Sequence, residues 1–212
     1  MENLLNKLLP DPENKSLTEI VKGYDENGKQ IKLSVVNEKP LTIYLNSQEI
    51  VTTMTLGDMP KELAVGYLLN QNMLQNNDKI TSVEFDSDIN VVIVRTIRQT
   101  NYEEKLSKKI RTSGCAVGTV YGDMMENFYD IKLNKDIFIK KSWMQKISKK
   151  ITEVPSLYLK AGAIHGCALC EKDDILAYVE DVGRHNAVDK IAGWMFLNNI
   201  SGHNKIFYTT GR

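Results

Sequence analysis

The sequence lacks a net charge, a long apolar run and any abundance of cysteine. Its 212 residues carry 27 Lys and Arg against 27 Asp and Glu, so the chain as a whole creates no field that attracts nucleic acid or a membrane. Any anion that the protein binds must therefore be held by a local site. Hydrophobic residues make up 42% of the chain and charged residues 25%, which is typical of a globular protein with a core.

No apolar run approaches the roughly 20 residues of a transmembrane helix. The N-terminal stretch does not resemble a secretory signal, because Glu2 and Lys7 interrupt its short apolar patch and Pro10 and Pro12 end it. We therefore expect a cytoplasmic protein. The three cysteines are an odd number at wide spacing, which favours reduced thiols over a disulfide framework.

Strand-like and helix-like patterns alternate in the second half of the chain, which predicts an α/β fold, with α+β as the alternative. We expect a β-rich N-terminal part with one helix over residues 1–110 and a second part over residues 111–212. Asn27-Gly28, between two strand-like runs, predicts a hairpin with a type I′ turn. Asp58 ahead of Pro60 predicts a helix N-cap. Leu157–Leu169 has the pattern of a strand.

Cys115 lies in a segment of small residues, Thr112-Ser113-Gly114-Cys115-Ala116. If a helix begins just after it, the helix dipole would favour the thiolate, and such settings lower a cysteine pKa from ~8.5 into a range of roughly 3.5–7.5. The alternative is a small buried side chain, which is the usual fate of a free cysteine. Cys115 is therefore a candidate nucleophile.

Cys167 and Cys170 form a Cys-x-x-Cys pair close to His165, a pattern that can bind zinc or act in redox chemistry. In a strand, however, residues an odd number apart point to opposite faces, a geometry that is poor both for binding one metal ion and for forming a disulfide. We interpret them as packing residues and expect no metal site. Zinc deamination is also disfavoured, because Val117 stands where that chemistry needs a glutamate and no proline precedes Cys167.

The segment Glu180–Lys190 concentrates polar residues at a predicted strand-to-helix junction. The N-terminus of a helix binds anions through its backbone N–H groups and its dipole. Gly183 permits a tight turn, Arg184 offers a bidentate fork for phosphate, and His185 can exchange a proton near neutral pH. Asn186 and Asp189 have the spacing of a capping pair. Gly183, Arg184, His185 and Asn186 are therefore the candidate ligand-binding residues.

The string Glu180-Asp181-Val182-Gly183-Arg184-His185-Asn186-Ala187-Val188-Asp189-Lys190 resembles the formate dehydrogenase accessory sulfurtransferases of the FdhD type. The same family pattern is seen in shorter motifs elsewhere: Lys39-Pro40-Leu41, Thr55-Leu56-Gly57-Asp58, Thr112-Ser113-Gly114-Cys115 and Ala161-Gly162-Ala163-Ile164-His165. Together these matches run from about Lys39 to Arg212.

The resemblance implies a cytidine-deaminase-like fold, a homodimer and a role in the maturation of formate dehydrogenase. It implies that sulfur comes from a cysteine desulfurase as a persulfide, is carried on Cys115, and passes to bis-molybdopterin guanine dinucleotide. The alternative is a non-catalytic chaperone that binds this molybdenum cofactor and delivers it to apo-formate dehydrogenase.

The sequence departs from the family pattern in two places. The family loop often carries a second cysteine, and Gly118 stands at that position, so Cys115 would act without a resolving partner in its own loop. The sequence also stops at Thr210-Gly211-Arg212, inside a family motif, whereas family members continue with a segment that helps to bind the guanine dinucleotide. We therefore expect weakened cofactor binding by this chain alone.

Overall fold

The structure is a computed structural model that describes residues 7–75, 77–98, 109–111, 119–121 and 137–211. Within these residues, no helix combines the length and the apolar character needed to cross a membrane. The mixture of strands and helices confirms the predicted α/β class. The cytidine-deaminase-like relationship and the division after residue 110 stay predictions.

The described part of the chain contains eleven strands and four helices. In chain order they are β1 (Thr18–Tyr24), β2 (Gln30–Val36), β3 (Lys39–Leu45), β4 (Gln48–Thr55), α1 (Pro60–Asn70), β5 (Ile80–Asp86), β6 (Val91–Thr96), β7 (Lys109–Arg111), β8 (Thr119–Tyr121), α2 (Lys141–Glu153), α3 (Leu157–Ala161), β9 (His165–Glu171), β10 (Asp174–Asp181), α4 (Arg184–Leu197) and β11 (Lys205–Thr209).

The strands form two larger sheets and two hairpin ribbons. One sheet has the order β4-β3-β6-β5, in which β3 and β6 run parallel and the other pairs run antiparallel. The second sheet is antiparallel with the order β10-β9-β11. The ribbons are β1-β2 and β7-β8.

The predicted hairpin between β1 and β2 is confirmed, but its turn is not type I′. A type I′ turn needs positive φ at both central residues, and here only Gly28 has one, at 75°. The Asp25 carboxylate accepts hydrogen bonds from the backbone N–H groups of Asn27 and Lys29 at 3.0 and 2.8 Å. This aspartate side chain organises a longer loop, which the dipeptide Asn27-Gly28 alone does not indicate.

Helices α1 and α4 lie between the two sheets and pack directly against each other. α1 is apolar around its circumference because one side faces the β4-β3-β6-β5 sheet and the other faces α4. The crossing is close: a Cβ at Gly66 would lie 1.7 Å from the carbonyl oxygen of Asp189, and one at Gly193 would lie 1.9 Å from that of Glu62. Only glycine at both positions permits this distance between the helices.

The β10-β9-β11 sheet has one apolar face on α4 and the other on α2. Cys167 and Leu169 belong to the core shared with α4, whereas Ala168 and Cys170 belong to the core shared with Ile147 of α2. This alternation confirms that the two cysteines of β9 point to opposite faces.

The strand predicted over Leu157–Leu169 is correct only from His165 onward. Residues Leu157–Ala161 form α3 instead, whose N-cap Ser156 accepts a hydrogen bond from the backbone N–H of Tyr158 at 3.1 Å. A buried carboxylate, Glu180, accepts a second one from the N–H of Leu157 at 2.7 Å. These two acceptors satisfy the first turn of a helix that is otherwise too short to form alone.

The close crossing of α1 and α4 gives a first prediction. Gly66→Ala places a methyl group against the backbone of α4, and we expect a loss of about 3 kcal/mol in the free energy of unfolding, measured by urea denaturation. On helix propensity alone the same change would stabilise α1 by about 1 kcal/mol. The control is Gly202→Ala, whose Cβ would lie 3.5 Å from the flexible Met195 side chain. A stabilised Gly66→Ala variant would contradict the packing.

Candidate functional site

The segment predicted as a ligand site does lie at a strand-to-helix junction. β10 ends at Asp181, Gly183 is the N-cap of α4, and the helix begins at Arg184. The side chains of Glu180 and Asp181 are buried, and so are those of Asn186 and Lys190 one and two turns into the helix. Charged groups in such a position must find partners within the protein.

The Asp181 carboxylate is the centre of this buried group. Its Oδ1 accepts hydrogen bonds from the backbone N–H of Gly183 and from Nδ2 of Asn186, both at 2.9 Å. Its Oδ2 accepts from the hydroxyl of Thr55 at 2.5 Å and lies 2.6 Å from Nζ of Lys190. One carboxylate therefore joins the end of β10, the first turn of α4 and the end of β4.

Lys190 carries its ammonium into the interior, where its side chain has no exposed surface. Nζ donates to Oδ1 of Asp58 at 2.5 Å and to the carbonyl oxygen of Glu180 at 3.0 Å, besides its contact with Asp181. Burial opposes the charge, but Asp181 and Asp58 outweigh that effect and raise the pKa of Lys190 above its ordinary value. The lysine is therefore a permanent cation between two carboxylates.

The sequence position of Asp58 predicts that it caps α1, but in the structure it does not. The N-cap is Met59, which has a left-handed backbone with φ of 50° and makes no side-chain capping bond. Gly57, two residues earlier, also has a positive φ, of 86°. This strained turn directs the Asp58 carboxylate to Lys190, because an unpaired ammonium in the core costs more than an uncapped helix end.

Gly183 and Asn186 also differ from their predicted local roles. Gly183 has an ordinary φ of −94°, so the turn does not need its conformational freedom. It needs the space, because a Cβ there would lie 2.9 Å from Nδ2 of Asn186. Asn186 does not pair with Asp189 as a cap. Its Nδ2 donates to the carbonyl oxygen of Met54 at 2.7 Å and so attaches α4 to β4.

Glu180 connects the same junction to α3. Its Oε1 accepts a hydrogen bond from the Ser156 hydroxyl at 2.5 Å, and its Oε2 accepts the one from the N–H of Leu157. Neighbouring side chains on β10 thus hold different elements: Glu180 holds α3, and Asp181 holds β4 and α4.

Arg184 and His185 occupy the outer side of the junction. Arg184 is partly buried and His185 is exposed. The end of β11 lies beside them, since a Cβ at Gly211 would be 3.1 Å from Cβ of Arg184. Four segments therefore meet at one edge of the β10-β9-β11 sheet: 53–58, 165–166, 180–190 and 209–211.

A cavity of about 470 Å³ opens at this edge, lined by residues that include Ser156, Leu159, Ile164, His165, Tyr178 and Thr210. The Tyr178 hydroxyl lies over the backbone of Gly166, where a Cβ would be 2.1 Å from its Oη. Burial, together with the charge of Glu180, raises the pKa of Tyr178, so this hydroxyl stays protonated at neutral pH. The cavity thus offers polar groups on an apolar wall, as small-molecule sites do.

Two of the three cysteines, Cys167 and Cys170, lie among the described residues. Cys115 lies outside the described residues, but Thr119–Tyr121, shortly after it, form strand β8 and not the helix considered there from the sequence. Cys167 and Cys170 are buried thiols, and desolvation raises the pKa of both, that of Cys170 to about 11. A thiol with a raised pKa is a poor nucleophile at neutral pH. The residues that the structure describes contain no group of three or more His, Cys, Asp or Glu side chains suited to a metal ion.

Comparison with known proteins identifies the family to which this site belongs. The model of the FdhD/NarQ family matches residues 36–212. The chain belongs to the FdhD/NarQ family. The resemblance predicted from the motifs is thereby confirmed, and all four segments at the sheet edge lie within the match to FdhD/NarQ.

Individual FdhD/NarQ proteins are similar along most of the chain. The sulfur carrier protein FdhD of Bacillus pumilus is 28% identical over 186 residues, which is 84% of this chain and 68% of the relative. That of Listeria monocytogenes is 29% identical over 197 residues, 87% of this chain and 72% of the relative. A solved structure from Desulfotalea psychrophila, described as a formate dehydrogenase accessory protein, has a TM-score of 0.72 at 23% identity. It covers 92% of this chain and 75% of that chain, and it supports the fold.

The buried partners of this FdhD/NarQ junction could not be predicted from local sequence. Lys190, Asp58 and Thr55 each stand in a family motif, but the contacts of Thr55 and Asp58 with the junction span 126 and 132 residues. The sequence does contain one signal for this contact, because one family motif carries the acidic Asp58 and another carries the basic Lys190. Whether Gly183, Arg184, His185 and Asn186 touch a ligand stays a prediction.

Replacing Lys190 tests the buried ion pairs. Lys190→Met leaves the buried Asp181 without its cation and removes the partner of Asp58, whose side chain is 24% exposed. We expect a loss of about 3–5 kcal/mol in the free energy of unfolding, measured by urea denaturation. Adding Asp58→Asn should recover part of that loss, because it removes one uncompensated charge. The control is Lys146→Met, which breaks a pair with Asp173 in which the lysine side chain is 63% exposed. There we expect a change below about 1 kcal/mol, and an equal effect of both lysines would contradict the arrangement.

Asp189 gives a prediction about pH. Burial raises the pKa of this carboxyl to about 7, and Asn70 Nδ2 donates to its Oδ1 at 2.6 Å. The pKa of Asp189 in the folded protein exceeds the value of about 4 in the unfolded chain, so ionisation of this carboxyl lowers the stability of the fold. The loss is absent at pH values below the unfolded pKa and complete at pH values above the folded pKa. Asp189→Asn keeps an acceptor for Asn70 but cannot ionise.

Urea denaturation across pH measures this effect. We expect Asp189→Asn to match the wild type near pH 4 and to be more stable above about pH 7, with a gap that widens by up to roughly 1.4 kcal/mol per pH unit between them. Asp88→Asn, at an exposed loop position, is the control and should show no such divergence. Parallel stability curves for Asp189→Asn and the wild type would exclude a neutral buried Asp189.

Proposed function

We propose that this protein is a sulfur carrier that takes sulfur from a cysteine desulfurase and passes it to the molybdenum cofactor of formate dehydrogenase. The observation that carries the proposal is the convergence of four family motifs at one sheet edge. Similar proteins named sulfur carrier protein FdhD, and a similar structure described as a formate dehydrogenase accessory protein, support this direction.

Cys115 is the proposed sulfur-carrying residue. The raised pKa values of Cys167 and Cys170 disfavour both of them as nucleophiles, which leaves Cys115 among the three cysteines. Its thiolate attacks the outer sulfur of the donor persulfide, the donor cysteine departs as a thiolate, and Cys115 becomes a persulfide with no net oxidation.

The second step hands the outer sulfur to bis-molybdopterin guanine dinucleotide as substrate. Release of that sulfur as sulfide takes two electrons, which two thiols supply by forming a disulfide. The sulfide would replace an oxygen ligand of the substrate's molybdenum, which would leave as water. Gly118 stands where many family members have a second cysteine, so the thiol is proposed to come from another molecule.

The cofactor is proposed to lie at the sheet edge, against Gly183, Arg184, His185 and Asn186. Arg184 suits a phosphate of the dinucleotide through a bidentate contact. His185, which is exposed, can reach a ligand directly. Gly183 and Asn186 contribute by holding the junction in place, because their polar groups already bind Asp181. A cytoplasmic homodimer without a resident metal completes the proposal.

The second candidate is a non-catalytic chaperone that binds the cofactor and delivers it to apo-formate dehydrogenase. The observation in its favour is that the described residues at the sheet edge offer polar groups and a cavity suited to binding a ligand. Formation of a persulfide distinguishes the two functions.

Intact-protein mass spectrometry after incubation with a cysteine desulfurase and cysteine tests the carrier. We expect a gain of about one sulfur mass, removed by a thiol reductant and mapped by peptide analysis to Cys115. Cys115→Ser should abolish the gain, because the other two thiols are buried and their pKa values are raised.

The matched control is the double variant Cys167→Ala and Cys170→Ala, which should still acquire the sulfur. A persulfide mapped to Cys167 or Cys170 would contradict the assignment to Cys115. Cofactor binding without any persulfide would favour the chaperone.

A further inference from the structure

The segment before and into α2 carries a cluster of positive charge in this electrically neutral chain. Residues 137–152 contain five lysines and no acidic residue, although the whole sequence has 27 charges of each sign. These lysines form a local positive patch, and they differ in whether an acidic side chain of the protein pairs with them.

Two of these lysines are neutralised by the loop that joins β9 and β10. Lys146 pairs with Asp173 at 2.8 Å, and Lys150 pairs with Asp174 at 3.3 Å. Lys140 and Lys141 form no ion pair with any residue in the described ranges, and Nζ of Lys140 lies 5.4 Å from the centre of the Trp143 ring. The uncompensated charge is therefore concentrated at the start of the helix.

The position of these two lysines is unfavourable for α2 itself. Lys140 is the N-cap and Lys141 is the first helical residue, so both cations lie at the positive end of the helix dipole. Lys140 provides no side-chain cap, and the first turn contains no acidic residue. Serine or aspartate would stabilise the helix better at the cap, and among the described residues no acidic side chain pairs with either lysine.

Apolar side chains surround the same two lysines. The exposed fractions are 53% for Ile137, 70% for Phe138 and 60% for Met144. They are not needed for the core, because the inner side of α2 already packs through Ile147 and Ile151 against the sheet. We call residues 137–144 the basic apolar surface.

We propose that the basic apolar surface binds an acidic protein segment that carries apolar side chains. Carboxylates of the partner would meet Lys140 and Lys141, and its apolar side chains would cover Phe138 and Met144. A membrane fits less well, because Met144 is flanked on the outer side of α2 by Ser142, Gln145, Ser148 and Lys149, which leaves no apolar band wide enough to enter a bilayer. This inference does not depend on the sulfur-carrier proposal, although a carrier must dock on other proteins.

The test measures binding of the full chain to a fluorescent peptide built from glutamate, leucine and phenylalanine. The double variant Lys140→Glu and Lys141→Glu should bind at least about tenfold more weakly. The same variant should melt at a higher temperature than the wild type, because the new carboxylates complement the helix dipole. A binding loss with a stability gain cannot be explained by misfolding.

The matched control is Lys22→Glu with Lys32→Glu, two exposed lysines that face each other in the β1-β2 ribbon. It makes the same change in net charge and should alter peptide affinity by less than about twofold. Phe138→Ser should also weaken binding, and its effect should persist at high salt, where the contribution of the lysines is screened.

Three outcomes would overturn the proposal. One is failure of the wild-type chain to bind the peptide. Another is equal weakening by both pairs of lysine substitutions, which would make net charge alone responsible. The third is tighter binding to phosphatidylglycerol vesicles than to the peptide, lost on the Lys140 and Lys141 substitutions, which would assign the surface to a membrane.

Discussion

The ion pair between Lys190 and Asp181 is the constraint on which the rest of this structure depends. An ammonium with no exposed surface requires carboxylates within hydrogen-bonding distance, and Asp181 and Asp58 supply them at 2.6 and 2.5 Å. Because these groups come from β10, α4 and the turn before α1, satisfying one lysine fixes three segments relative to each other. The close contacts of Gly66 and Gly193 follow, since α4 must come near α1 for the pairs to form.

Such a cluster is a costly way to stabilise a core, because well-packed apolar residues of similar volume often serve as well or better. The cluster around Lys190 instead restricts the segments that contact it to one arrangement. The strained turn at Gly57 and Met59 and the uncapped start of α1 are tolerated because Asp58 must reach Lys190. The outer residues Arg184 and His185 are thereby presented on a junction whose inner side has one allowed geometry.

The sequence predicted those features that depend on neighbours along the chain. Alternation along β9 placed Cys167 and Cys170 on opposite faces, and the polar string after Val179 marked the boundary between β10 and α4. Features decided by distant partners were not predictable. Leu157–Ala161 has a strand-like pattern but forms a helix, because the carboxylate of Glu180 binds its first turn from a residue more than 20 positions away. Asp58 has the position of a cap, but the attraction of a buried ammonium outweighs it.

One consequence concerns the N-terminus of α4. The backbone N–H of Gly183 points at Oδ1 of Asp181, so the carboxylate of the protein's own chain already occupies a position that a free anion takes at many helix ends. An incoming phosphate meets this built-in competitor and must be recognised by side chains on the outer rim. The junction therefore selects ligands by their shape and by whether they contact Arg184 and His185. We expect it to bind small inorganic anions weakly.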